Sequence, residues 1–235
     1  MRPATTIANF DATLRQRFQS GASTVRAIGE VQFGPTPAEW RTWTAYEGIL
    51  NRALAEHPAW IVCPYDARVL PDAVLDAAWD AHPHVMTDDR RASSRYHEPE
   101  ELVASLTPAA VALPQLGDLA PPADPAALRE QLAAALAMAH VPDSGAMNML
   151  VAANEIALNA WRHAGGATAM RAGLVDGRFV VEITDRGSGL DDPLAGYVPP
   201  RQDREDGTGL WIARQLVSRM ELLSSPRGLT VRLWL

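Results

Sequence analysis

Asn154-Glu155-Ile156-Ala157-Leu158-Asn159-Ala160-Trp161-Arg162-His163 is the stretch on which the reading of this chain turns. It lies in a run from Ser144 to Ala164 where Met149, Leu150, Ala153, Ile156, Ala157 and Ala160 make one apolar stripe. That is the period of an amphipathic helix. Glu155, Asn159 and His163 recur every fourth residue and share another face of it. A carboxylate one turn ahead of an amide oxygen suits a base beside a magnesium ligand, because Mg2+ takes few protein oxygens and leaves room for phosphates. The same spacing also describes an ordinary solvated helix face, and the stretch alone does not choose.

Downstream, Asp185-Arg186-Gly187-Ser188-Gly189-Leu190 follows a strand-like run from Arg178 to Thr184. Gly207-Thr208-Gly209-Leu210 then opens a helical run from Leu210 to Arg219. Thr168 to Val175 reads as a further strand, joined to the Arg178 run by Asp176-Gly177, a strong hairpin signal. Phe179, Val180, Val181 and Ile183 make the second of these strands apolar almost throughout, as a central strand under helices would be. Met220 to Ser224 and Gly228 to Leu235 read as the last two strands, with Trp211 and Trp234 expected in the core. Pro193 to Asp206 is polar and without period, a loop long enough to be functional or disordered. Upstream, a helix from Ala126 to Ala139 carries Leu128, Leu132 and Leu136 on one face, and Pro142-Asp143-Ser144 is expected to cap the helix that follows.

In this order the three stretches resemble the N, G1 and G2 boxes of the GHKL ATPases, the superfamily of gyrase B, histidine kinases and MutL. Glu155, Asn159-Ala160, His163-Ala164 and the run Gly209-Leu210-Trp211-Ile212-Ala213-Arg214-Gln215-Leu216 look most like the anti-sigma-factor serine kinases of actinobacteria. The resemblance implies an α+β two-layer sandwich of the GHKL (Bergerat) type over residues 126–235, with ATP and Mg2+ as cofactors. By resemblance, Asp185 accepts a hydrogen bond from the adenine amino group, and Thr230 supports it directly or through water. Gly187, Gly189 and Leu190 form the tight turn beside the base, where a Cβ would clash. Gly207, Thr208, Gly209 and Leu210 bring N–H groups to a helix N-terminus that favours the phosphates. Asn159 is the implied metal ligand, and Glu155 the general base toward an incoming hydroxyl. Arg162 and His163 read either as phosphate contacts or as plain helix-surface residues. Pro193 to Asp206 matches the ATP lid, with Arg201 and Arg204 read as solvated loop arginines.

Composition narrows the chemistry further. The chain has 235 residues, is 47% hydrophobic and carries a net charge of −7. That balance argues against nucleic acid as a main partner. No apolar run approaches the roughly 20 residues of a membrane span, and no signal core follows Met1, so the expectation is a cytoplasmic protein. All 21 basic residues are arginine, which excludes a Walker-A lysine, a Schiff-base lysine and the strand lysine of ordinary protein kinases. Phosphates must then be held by backbone N–H groups, arginine and metal. A single cysteine, Cys63, excludes an intrachain disulfide and any multi-cysteine zinc site.

The first half, residues 1–116, alternates helices and strands as an α/β layer does. Helices are expected over Ile7 to Phe18, Pro37 to Glu56 and Asp72 to Trp79. Strands are expected over Val25 to Val31, Trp60 to Cys63 and His84 to Met86. Val25 to Glu30, Tyr46 to Asn51, Cys63-Pro64-Tyr65-Asp66 and His82-Pro83 resemble the C-terminal part of the MEDS sensory domain. The earlier strands of that family have no counterpart before Met1, so the expectation is the C-terminal part of the domain only, through either a naturally shortened form or a misplaced start. Cys63 reads as a small core residue, Asp66 as a turn cap, and His82-Pro83-His84 as a turn. Pro99 so close behind His97 excludes the long helix that a phosphoacceptor histidine needs. Residues 117–125, rich in proline, read as the linker between the halves.

Two functions follow as expectations. One is an ATP- and Mg2+-dependent serine/threonine kinase of the anti-sigma type, which binds a sigma factor, phosphorylates a STAS-domain antagonist and pairs as a homodimer. The alternative is a non-catalytic ATP-binding regulatory module that acts by protein contact only.

Overall fold

The computed structural model describes residues 2–107, 111–198 and 207–235. The chain forms two compact units, which part between residues 108 and 109.

The first unit opens with helix α1 (Pro3–Gln19), strand β1 (Val25–Ile28), helix α2 (Pro37–Ala53) and strand β2 (Ala59–Val62). Helix α3 (Asp72–Ala81), strands β3 (His84–Met86) and β4 (Arg90–Ala92), and helix α4 (Pro99–Leu106) complete it. β1 and β2 pair in parallel, while β3 and β4 form a small antiparallel ribbon. Helix α2 starts where a proline and a capping box allow: Thr36 accepts from the Glu39 N–H, and the Glu39 carboxylate accepts from Thr36 N. Its buried face carries Tyr46, Ile49 and Leu50, and with them a charged residue, Glu47, which is 2% exposed. Burial pushes the Glu47 carboxyl up to about 8. It also raises the nearby Cys63 thiol and lowers His82, since each charged form loses its water.

In the second unit, strand β5 (Gly117–Leu119) leads to helices α5 (Pro125–Met138) and α6 (Asp143–Ala164) and strands β6 (Ala167–Val175) and β7 (Arg178–Asp185). Helix α7 (Thr208–Leu216) and strands β8 (Arg219–Ser225) and β9 (Gly228–Trp234) end it. The five strands make one antiparallel sheet in the order β5-β6-β7-β9-β8. Asp176 and Gly177, with φ of 50° and 76°, turn β6 into β7 as the two central residues of an Asp-Gly hairpin do. Leu128, Leu132 and Leu136 of α5 and Met149, Ala153, Ile156 and Ala157 of α6 pack on Phe179, Val181 and Ile183 of β7. This is an α+β two-layer arrangement within an overall α/β mixture.

The opposite face of the sheet is organised by charge. Register aligns Asp118 with Arg171, Arg171 with Glu182, Glu182 with Arg232 and Arg232 with Glu221. Ion pairs join each step: Arg171 Nε to Asp118 at 3.3 Å, Arg171 to Glu182 at 3.5 Å, Arg232 Nε to Glu182 at 2.6 Å, and Arg232 to Glu221 at 3.6 Å. The result is one row of alternating charge across all five strands.

Three expectations are corrected. The linker read over 117–125 begins as sheet: Gly117–Leu119 is the edge strand β5, and Leu113 and Leu116 before it bury against Val175 and Val180. A three-residue strand carries too little alternation to be seen without its partner. Helix α7 stops at Leu216 rather than Arg219, because buried Val217 turns extended and Arg219 already pairs with Trp234 in β8. Finally, the N-cap of α6 is Pro142, with no side-chain cap bond from Asp143 or Ser144.

Candidate functional site

The site starts from α6. Its apolar stripe faces the sheet, so Glu155 and Asn159 emerge half-buried on the flank that meets α7, with Arg162 and His163 exposed beyond them. Gly207, left-handed at φ 90°, caps α7, and among the described residues no side chain supplies a cap bond. The first N–H groups of a helix lack intrahelical acceptors, and here they stand opposite Glu155 and Asn159. A Cβ at Gly209 would lie 3.0 Å from Glu155 Oε2 and 3.3 Å from both amide atoms of Asn159. Glycine therefore keeps a gap between the carboxylate, the amide and the helix end. A cavity of about 300 Å3 opens there, lined by Glu155, Asn159, Arg162, His163, Gly207, Thr208 and Gly209.

The remaining site residues do not line that cavity. Asp185, Gly187, Gly189 and Leu190 form a neighbouring loop at the end of β7, against the C-terminus of α6, Leu210 is buried in the core from α7, and Thr230 lies in β9. Asp185 Oδ1 accepts two backbone N–H bonds, from Gly187 at 2.9 Å and from Leu229 at 3.2 Å. Both go to one oxygen, which fixes the carboxylate and leaves Oδ2 without a partner among the described residues. A Cβ at Gly187 would stand 3.0 Å from Ala164 Cβ, and one at Gly189, with φ 80°, would overlap the Ser225 carbonyl. Leu190 N donates to Ser224 Oγ at 2.6 Å, tying the loop to the end of β8.

Of the two forms of support expected from Thr230, direct or through water, the direct bond to Asp185 is not made. Register sets it against Thr184, and the two hydroxyls bond each other at 2.9 Å. Alternation along β7 turns Thr184 and Asp185 to opposite faces. The direct support comes instead from Leu229 N, a backbone group that no side-chain pattern reveals. Gly228 is its sequence signal: with φ 139°, it brings β9 so close that a Cβ would overlap the Asp185 carbonyl.

The start of the loop between the second and third boxes is pinned to α7. A Cβ at Gly196 would lie 2.7 Å from the Leu210 carbonyl carbon. Arg214, buried, donates to Ala195 O at 2.9 Å and Met220 O at 3.2 Å, and its guanidinium lies 3.8 Å from the centre of the Tyr197 ring. Arg201 and Arg204 lie outside the described residues. So does the rest of that loop from 199 to 206.

Among the described residues no helix is long and apolar enough to cross a membrane. Residues 120–235 match the family model of the histidine kinase-like ATPase domain. Residues 1–83 match that of MEDS, the methanogen/methylotroph, DcmR sensory domain. Among solved structures, the histidine kinase domain from the Erythrobacter litoralis EL346 blue-light activated histidine kinase is similar at 20% identity and a TM-score of 0.33. That match covers 54% of this chain and 70% of the other. No curated protein matches the chain.

Proposed function

We propose, for a chain that carries a histidine kinase-like ATPase domain over residues 120–235 behind a MEDS domain over residues 1–83, that it is an ATP- and Mg2+-dependent protein serine/threonine kinase of the anti-sigma type. The ATPase domain implies ATP binding, with Mg2+ as its usual companion. The residues fit both. Asp185 Oδ2 faces no donor among the described residues, so it is available to the adenine amino group, which guanine lacks at that position. The α7 N-terminus and the Gly209 gap suit phosphates, and Asn159 offers an amide oxygen to a metal bound there. Glu155 takes the proton from an incoming serine or threonine hydroxyl as it attacks the terminal phosphate.

The observation that carries this reading is the Gly209 gap, across which Glu155 and Asn159 jointly meet the helix end. A second feature favours a protein hydroxyl over an internal histidine as acceptor: His97 precedes the eight-residue helix α4 instead of standing inside a long one. The partners in this proposal are a sigma factor and a STAS-domain antagonist, on whose serine or threonine the phosphate is placed.

Incubation of the full chain with labelled ATP, Mg2+ and a STAS-domain antagonist tests it. The expected result is acid-stable label on the antagonist, reduced at least about 100-fold by Glu155→Gln while ATP binding persists. ATP binding without any label would overturn the kinase and leave the non-catalytic binding module.

A further inference from the structure

We propose that Glu47, Cys63 and His82 in the first unit form a binding site for one divalent cation of the zinc class. The three come from separate elements: Glu47 from the middle of α2, Cys63 from the residue after β2, and His82 from the end of α3. One oxygen, one sulfur and one nitrogen from them lie within 4.8 Å of one another. His82 Nε2 stands 3.6 Å from Glu47 Oε2, close to the edge of about 3.3 Å that two ligands at zinc bond length span in a tetrahedron. Closing the widest pair needs a shift of at most about 1.5 Å, the difference between 4.8 Å and that edge.

Four further features point to a ligand and not to packing alone. Glu47 is 2% exposed; the Cys63 thiol and the Tyr65 hydroxyl bond its carboxyl, yet Oε1 has no hydrogen-bond partner among the described residues, a costly state for a buried group. His82 Nδ1 donates to Ala78 O at 2.9 Å, which turns the Nε2 lone pair toward the cluster. Metal-binding histidines are fixed in this way by a backbone carbonyl. Tyr65 donates to Glu47 Oε2 and orients the carboxylate as an outer-sphere group does. Asn51 Nδ2 donates to Ala81 O at 2.8 Å, holding the end of α3, and so His82, against α2.

The donor set selects the ion. Thiolate and imidazole favour zinc-like cations over Mg2+ or Ca2+, which prefer all-oxygen sites. A carboxylate and a thiolate also neutralise a dication, so the filled site buries no net charge. Three protein ligands leave a fourth position for water or a small exogenous donor. His82, with 20% of its side chain exposed, lies on the approach.

Cobalt(II) titration of the chelator-treated full chain tests the site, because Cys63 is the chain's single cysteine. A thiolate-to-cobalt charge-transfer band can arise from that residue alone. The expected result is a band saturating at one equivalent, bleached by Zn2+, absent in Cys63→Ser, and weakened at least tenfold in affinity by His82→Gln or Glu47→Gln. His84→Gln, at an exposed neighbour, leaves it unchanged. If a variant does not fold, alkylation of Cys63 in the wild type decides: Zn2+ slows it at least tenfold when the site exists. No band in the wild type, no protection of Cys63, or a band indifferent to His82 and Glu47 in folded variants overturns the proposal.

Discussion

A carboxylate held by two N–H groups on one oxygen is a receptor with a single open side, and Asp185 has that form. The bonds from Gly187 and Leu229 survive in Asp185→Asn, whose carbonyl oxygen takes the place of Oδ1. The new amide then turns a donor toward the adenine donor. A lost charged hydrogen bond of about 1.5–3 kcal/mol translates into an ATP affinity about 10- to 100-fold weaker, with the fold intact. Calorimetric titration with Mg2+-ATP measures it, and an unchanged affinity would remove Asp185 from the nucleotide site. Neighbouring glycines show why the loop tolerates no bulk. At Gly189 the obstacle to a Cβ is the Ser225 backbone carbonyl, which has no rotamer to escape into.

At the scale of elements, two polar clusters set the stability of their surroundings. In α1, buried Asp11 bonds Arg15 at 2.7 Å and His57, beyond α2, at 2.8 Å. Burial raises the Asp11 carboxyl, but the bonds from Arg15 and His57 outweigh it and hold it below the ordinary value of 3.8. The folded state thus favours the ionised form, so this contribution is present above pH 3.8 and lost as pH falls through the folded value. Amide exchange in α1 should accelerate over that acid range, and in Asp11→Asn the acceleration should already be present at neutral pH. A profile identical in both proteins would refute the linkage. On the sheet, Arg232 has 8% of its side chain exposed, whereas Asp118 has 91%. Glu182→Ala takes from buried Arg232 its 2.6 Å partner, leaves it only Glu221 at 3.6 Å, and should cost up to about 3–5 kcal/mol. Asp118→Ala, at the wet end of the same row, should cost about 0–1 kcal/mol. Urea unfolding compares them, and equal losses would mean that the row is not graded by burial.

For the molecule as a whole, local signals were legible and non-local ones were not. The stripe of α6, the Asp-Gly hairpin and the glycines of the two boxes announce themselves within a few residues, and each is where the sequence puts it. β5 escapes because three residues have no period of their own. Leu229 escapes because a backbone N–H leaves no mark in a sequence. Glu47, Cys63 and His82 meet only through tertiary packing, at separations that match no motif. The charged row belongs with these, and it bears on topology. In chain order the strands β5 to β9 carry Asp118, Arg171, Glu182, Glu221 and Arg232: minus, plus, minus, minus, plus. A simple meander would lay β8 beside β7 and set Glu182 against Glu221, and like charges directly opposite repel. Inserting β9 between them restores alternation. Exchanging the two signs, with Glu221→Arg and Arg232→Glu together, reverses that preference, and the doubly substituted sheet should lose more stability than Glu221→Arg alone. The row thus works as a two-letter address that tells the last strand which gap to enter.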